Sequence, residues 1–265
     1  NMTAIKERIS KAIDTAGDRV VCVAEAIFDH PEIGNQEFFA AGLLTGVLAE
    51  YQFKVTMPFG RLATAFRAEL SGGLGPQVAL LAEYDALPEI GHACGHNLIA
   101  AASLGAAIGL ASVINELKGS VVVIGTPAEE NQGAKVWLAR QGYLDDLDAA
   151  LMFHPGDANV VEVATLAMDA LEFIFAGRPA HASSCPEEGL NALEAVIQLF
   201  NNINSLRPYL KCRVSISGII SEGGVSPNII PERAAARFYL RASDRGALDQ
   251  IIKRVEDCAA AAALA

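Results

Sequence analysis

Three apolar runs in this 265-residue chain end in the same way, and that repetition constrains its fold more than any bulk property. Residues 78–82 (VALLA) lead into Glu83 and Asp85, then into a Pro/Gly turn that carries Cys94 and His96. Residues 119–126 (GSVVVIGT) are apolar and β-branched, the pattern of a strand buried on both faces, and they end in Pro127-Ala128-Glu129-Glu130. Residues 149–153 deliver His154, followed by Pro155 and Gly156. Open α/β sheets build their sites outside the carboxyl ends of the strands. Thiolate, imidazole and carboxylate are the ligands of zinc and related divalent metals. By themselves, residues 81–99 leave open a turn with a buried free cysteine and a solvated histidine. Three strand ends topped alike do not fit solvated loops, and adjacent carboxylates repel unless a cation or a shared proton separates their roles.

Composition narrows the class of partner. A hydrophobic content of 52% supports a substantial core, and only 6% aromatics means that Ala, Val, Leu and Ile fill it. A formal charge of −11 argues against nucleic acid and anionic membranes. No apolar run reaches the ~18 residues of a membrane span, and no signal peptide opens the chain. Five scattered cysteines, an odd number, suit a reducing compartment better than a disulfide framework. The expectation is a soluble cytoplasmic protein.

Periodicity predicts a helix over 3–28, with Thr3 as N-cap and Ile5, Ile9 and Ile13 on one face, and a second helix over 37–51. Strands follow at 53–55, 64–70 and 78–84, then a long apolar helix over 97–117 and a short one over 134–141. The alternation gives an α/β layered domain with a mostly parallel sheet, up to about residue 164. The rhythm then changes to strand 166–175, helix 190–203, strands 213–220 and 230–240, and helix 244–263. That β-α-β-β-α order is a ferredoxin-like α+β unit without its last strand. The final Ala-rich helix carries no glycine cap or stop signal, so the polypeptide is expected to be incomplete.

The segments EYDALP (83–88), GHACGHN (91–97), TPAEE (126–130), FHPG (153–156), GRPAHASSCPEEGLNAL (177–193) and SPNIIPE (226–232) carry a resemblance that runs from His30-Pro31-Glu32 to Arg241. Together they resemble the metal-dependent amidohydrolases related to carboxypeptidase G. The matching branch is that of aminobenzoyl-glutamate hydrolase, the indole-acetyl-amino-acid hydrolases and their dipeptidase-like relatives. The resemblance implies a catalytic metal-binding domain over 1–164, its C-terminal part lying outside this chain. It also implies an inserted lid and dimerisation domain over 165–265, likewise incomplete.

Carried over by position, Cys94, His96, Glu130 and His154 match metal ligands, Glu129 the general base, and Asp85 the acid that orients a ligand. His181 matches a histidine that reaches into the neighbouring subunit's site and stabilises the tetrahedral intermediate; Asn228 and Arg241 match residues that hold the substrate backbone and carboxylate. From residue type alone the ordinary readings are favoured for these three: a turn residue, a turn former after Pro227 and a strand-end charge. Many relatives have His where this chain has Glu83, a departure that reads as branch identity. The family's last ligand, a histidine after the lid, is expected beyond the end of this chain. His30 and His92 match other positions or none. Cys22, Cys185, Cys212 and Cys258 match nothing and are expected to be small core or near-surface residues.

The function implied is hydrolysis of the amide bond of N-acyl amino acids or dipeptide-like substrates with a free carboxylate. Metal-activated water attacks, with Glu129 as general base. The implied cofactor is two divalent ions per subunit, with zinc favoured by the Cys ligand and manganese or cobalt as alternatives. The implied partners are a small-molecule substrate and a second copy of the chain, joined through the lid. Two rival readings are a non-catalytic binding or scaffold protein of the same fold and a cysteine hydrolase using Cys94.

Overall fold

The computed structural model describes residues 2–161, 164–210 and 213–265, so Cys212 lies outside the described residues. The chain divides into two compact units, Asn1–Asn159 and Val160–Ala265.

The first unit opens with α1 (Met2–Thr15), α2 (Gly17–Asp29) and α3 (Phe38–Glu50). The single helix expected over 3–28 is therefore two, and Thr3 falls inside α1. The break comes at Ala16 (φ −89°, ψ 1°), just before Gly17, a residue that penalises helix continuation. Ile9 and Ile13 pack on Gly109 of the central helix, where a Cβ would sit 2.7 Å from Ile13.

Strands β1 (Lys54–Thr56), β2 (Phe66–Ser71), β3 (Gln77–Ala82), β4 (Ser120–Gly125) and β5 (Ala149–Leu151) form one sheet in the order β1-β2-β4-β3-β5. β3 runs parallel to β4 and β5, and β2 runs antiparallel to β1 and β4, so four of the five strands point the same way. The crossover between β3 and β4 is α4 (His96–Ala111), apolar and largely buried. It ends earlier than the expected 117, at Ser112, whose hydroxyl donates back to the Gly109 carbonyl at 2.6 Å and competes with the helix ladder. Alternation along β4 serves two cores. Val121 and Val123 face Ile27, Leu44 and Leu104, while Val122 and Ile124 face Ala79 and Leu138 of α5 (Ala134–Arg140). β5 differs from the other two site-bearing strands, because it is an exposed edge.

The second unit runs β6 (Ala167–Ala176), α6 (Ala192–Leu206), β7 (Ser215–Glu222), β8 (Arg233–Ala242) and α7 (Arg245–Leu264). Its antiparallel sheet has the order β6-β8-β7, the β-α-β-β-α succession read from the sequence. Val196, Leu199 and Ile203 of α6 and Leu248 and Val255 of α7 bury Phe238 and Leu240 on one face. Asn191 and Asp244 cap the two helices, accepting from the backbone N–H of Leu193 (3.0 Å) and Ala247 (2.8 Å). No helix among the described residues is long and apolar enough to cross a membrane.

Candidate metal centre

The carboxyl ends of β3, β4 and β5 and the start of α4 supply one cluster of side chains. Past β3, Glu83 and Asp85 are both buried (1% and 2% exposed), two residues apart on extended chain and hence directed to the same side. Past β4 the chain turns through Ala128, whose φ of +57° is uncommon for a residue with a side chain. Ala128 is held at both ends. Its N–H donates to Glu37 Oε1 (2.8 Å), and its carbonyl accepts from Gly133 N (2.7 Å). Glu37 is fully buried, and its other oxygen accepts from the Thr64 hydroxyl at 2.8 Å. Beyond this turn Glu129 Oε2 and Glu130 Oε1 lie 3.9 and 3.7 Å from His96 Nε2.

His96 is the first residue of α4, and Gly95 before it takes φ +76°. A Cβ on Gly95 would sit 2.7 Å from the Pro155 ring, so only glycine lets the helix start abut the segment that follows His154. His96 Nδ1 is 2.9 Å from Asp85 Oδ1, and Asp85 Oδ2 accepts from the Glu130 backbone N–H at 3.0 Å. Burial opposes the Asp85 charge, but these hydrogen bonds outweigh it and hold the carboxyl below its ordinary value. An ionised Asp85 only accepts, so His96 Nδ1 carries a proton and Nε2 is the nitrogen turned to the cluster; burial opposes a charge on the ring, but Asp85 and Glu83 outweigh it and raise its pKa. His154 repeats the pattern. Its Nδ1 is 2.8 Å from the Pro155 carbonyl, which leaves Nε2 free, and its ring lies edge-on to His96 at 6.3 Å. Imidazoles fixed by a hydrogen bond at one nitrogen are those that bind metal through the other.

Two sets of ligand atoms each lie within 4.8 Å of one another: Cys94, His96 and Glu130, and Glu83, His96 and His154. Four carboxylates crowd this volume, and Lys135 is a cation that reaches it, pairing with Glu83 Oε1. Glu83 Oε2 is buried and has no hydrogen-bond partner among the described residues. Glu130, reinforced by burial, pushes the Cys94 thiol up to about 11, and burial followed by Glu83 raises Glu129. Each of these penalties is relieved by a cation, which deprotonates a coordinating thiol and screens the acids. Thiolate, imidazole and carboxylate together fit zinc or a related divalent ion.

The remaining histidines of this unit lie apart from both sets. His30 stacks on Phe39 at 4.4 Å, and His92 is buried beside Phe28 at 6.5 Å. In the second unit, His181 bridges to Ile229, and Ala182 N donates to the Asn228 carbonyl at 3.0 Å, so His181 and Asn228 share one loop cluster. His181 Nδ1 accepts from the backbone N–H groups of Ser183 and Ser184, both at 3.3 Å, so its proton sits on Nε2. Asn228 Oδ1 accepts from the Ser226 hydroxyl at 2.5 Å. Arg241 does not join them. It is at the far end of β8, beside Tyr239 at 5.8 Å, eight residues from Arg233 and so roughly 27 Å along the strand. Within one subunit, Asn228 and Arg241 do not form a single cradle.

Known proteins are similar to this chain. Residues 167–265 match the peptidase dimerisation domain of the M20 peptidases. The chain is 39% identical to the Xaa-Arg dipeptidase of Mus musculus and 35% identical to one of the subunits of the p-aminobenzoyl-glutamate hydrolase of Escherichia coli K12. The alignments cover 98% and 99% of this chain, and 64% and 59% of those proteins. Among solved structures, a Bacillus subtilis protein described as a dinuclear metal-binding peptidase of the M20 family superposes with a TM-score of 0.69 at 25% identity, over 96% of this chain and 71% of that one. The second unit thus matches the M20 dimerisation domain, and nearly the whole chain is similar to these dipeptidases and amidohydrolases over about three fifths of their length.

Glu83 is the one member of the cluster that sequence reasoning set aside as a branch difference. A signal for it existed. Position 83 shares a face with Asp85 by strand alternation, and so it points where the ligands point.

Proposed function

We propose that this protein hydrolyses the amide bond between an acyl or aminoacyl group and an amino acid with a free carboxylate. The observation that carries the reading is the convergence of Cys94, His96 and Glu130, with His154 beside His96 and Glu129 on the same turn. These are the residues that would hold two divalent ions, zinc first by thiolate softness, with manganese or cobalt as alternatives. When bound, such an ion supplies Lewis acidity to the carbonyl and acidifies the attacking water.

Glu129 takes the proton from that water and passes it to the leaving nitrogen. Its carboxylate is 41% exposed, and burial together with the neighbouring acids raises its proton affinity, which suits a base. Asp85 keeps His96 in the tautomer that presents Nε2. His181 of the partner subunit donates its Nε2–H to the developing oxyanion, a role its Nδ1 contacts prepare. Asn228 and Arg241 grip the substrate backbone and carboxylate. Asn228 precedes β8 and Arg241 lies at its far end, a separation that supports grips on different ends of a substrate or from different subunits. The names of the mouse and E. coli relatives fit this substrate class.

A nucleophilic role for Cys94 runs against its surroundings. Reactive cysteines sit beside positive charge that lowers their pKa, whereas Glu130 pushes this thiol up. The deciding experiment is a screen of N-acyl amino acids and dipeptides with the metal-loaded protein, repeated after chelation and after thiol alkylation. The expected result is turnover lost on chelation, restored by metal and indifferent to alkylation of the loaded protein. Activity that survives chelation and dies with alkylation would overturn the assignment, and no turnover of any member would favour a binding or scaffold role.

A further inference from the structure

Glu83 has a geometry that a simple ion pair with Lys135 does not explain. One carboxylate oxygen, Oε1, contacts Lys135 Nζ. The other, Oε2, is buried, has no hydrogen-bond partner among the described residues and lies 3.4 Å from His96 Nε2. Because Asp85 engages His96 at Nδ1, the ring nitrogen facing Oε2 is Nε2. That contact calls for a positive species between the two atoms, and an unpaired buried carboxylate oxygen is costly in itself. His154 closes the third side, since ligand atoms of Glu83, His96 and His154 all lie within 4.8 Å of one another. That is near the spread allowed by bonds of about 2.0–2.2 Å to a shared zinc.

We propose that Glu83 is a direct ligand of the ion held by His96 and His154, bound through Oε2 alone because Lys135 occupies Oε1. This inference rests on the metal-centre reading and adds a residue to it. Lys135 then has a definite duty: it fixes the carboxylate as a single-oxygen donor and balances its charge while the ion exchanges. An imidazole Nε2 serves one ion only; with His96 on the Glu83 side, Cys94 and Glu130 remain as the core of the other subsite.

The test titrates chelator-stripped protein with cobalt(II), followed by visible absorption and equilibrium dialysis, on the unaltered protein and on Glu83→Gln, Glu83→Asp, Glu83→Cys and Lys135→Met. Glu83→Gln is expected to bind one class of cobalt at least tenfold more weakly and to shift its visible bands. Glu83→Asp keeps the charge opposite Lys135 while withdrawing the oxygen from His96, and is expected to fold and show the same loss should the neutral variant be unstable. Glu83→Cys is expected to add thiolate-to-cobalt charge-transfer intensity beyond that of Cys94, which only a side chain touching the ion can do. Lys135→Met is expected to keep the cobalt stoichiometry and alter the spectrum by freeing Oε1. Unchanged affinity and spectra in all Glu83 variants, beside normal cobalt binding by the unaltered protein, would overturn the ligand role and leave Glu83 as the counter-ion of Lys135. Failure of the unaltered protein to bind cobalt would instead overturn the metal centre itself.

Discussion

Glu129 and Glu130 are chemically identical neighbours, and their surroundings separate them. Glu130 shares a set of close ligand atoms with Cys94 and His96, whereas Glu129 stands 3.9 Å from His96 outside both sets, with 41% of its side chain exposed. A base needs freedom to move a proton; a ligand needs to stay. Glu129→Ala is therefore expected to reduce turnover by two to four orders of magnitude, on the order of what general-base catalysis contributes, with metal content nearly unchanged. Glu130→Ala is expected to lose metal, as measured by elemental analysis after dialysis. Equal metal loss in both variants would reverse the assignment. The sequence made these residues legible because strand ends concentrate them. It left Glu83 dark because its meaning lies in what faces each oxygen, Lys135 on one side and His96 on the other, and only the folded chain brings those together.

Elements position these residues through backbone devices that leave faint traces in sequence. Gly95 combines a left-handed φ of +76° with close approach to Pro155. Gly95→Ala is expected to cost about 1–3 kcal/mol by overpacking and strain. It is also expected to weaken metal binding by displacing His96 from His154, which thermal melts and metal titration of the same variant read separately. Glu37 ties the β4–α5 turn to the start of α3, accepting from Thr64 and from the left-handed Ala128. Burial raises its pKa above 4.5 in the folded state despite those hydrogen bonds. The folded chain therefore binds this proton more tightly than the unfolded one, so stability falls as pH rises from 4.5 through the folded value. Glu37→Gln is expected to flatten that slope in denaturant titrations across the acid range; an unaltered slope would show that Glu37 is not its source. The apolar period of β3 and β4 located the strands within two residues, because burial on both faces leaves no alternative pattern. The break at Ala16 and the early end of α4 at Ser112 were not legible, since each depends on local backbone competition within an otherwise helical period.

At the scale of the whole molecule, the change of rhythm in the sequence corresponds to a change of unit, and the second unit matches a dimerisation domain over 167–265. The succession of elements was legible there. The separation of Asn228, in the loop before β8, from Arg241 at the far end of that strand was not, because residue spacing does not say how many intervening residues are extended. The proposed action of His181 in a partner's site predicts that mixing an inactive His181→Ala protein with an inactive Glu129→Ala protein restores up to about a quarter of the unaltered activity. That figure follows from random exchange giving half mixed dimers, each with one intact site. Subunit exchange without returning activity would show that His181 does not act in trans.

The most direct measurement is equilibrium dialysis of the chelator-stripped protein against zinc, with Cys94→Ala, His96→Ala, Glu130→Ala and His154→Ala measured beside it. The prediction is tight zinc binding by the unaltered chain and a loss of at least tenfold in affinity, or of a whole equivalent, in each variant, with folding preserved by circular dichroism. Zinc binding that is absent from the unaltered chain, or that survives all four substitutions, would contradict a metal centre at the carboxyl ends of β3, β4 and β5.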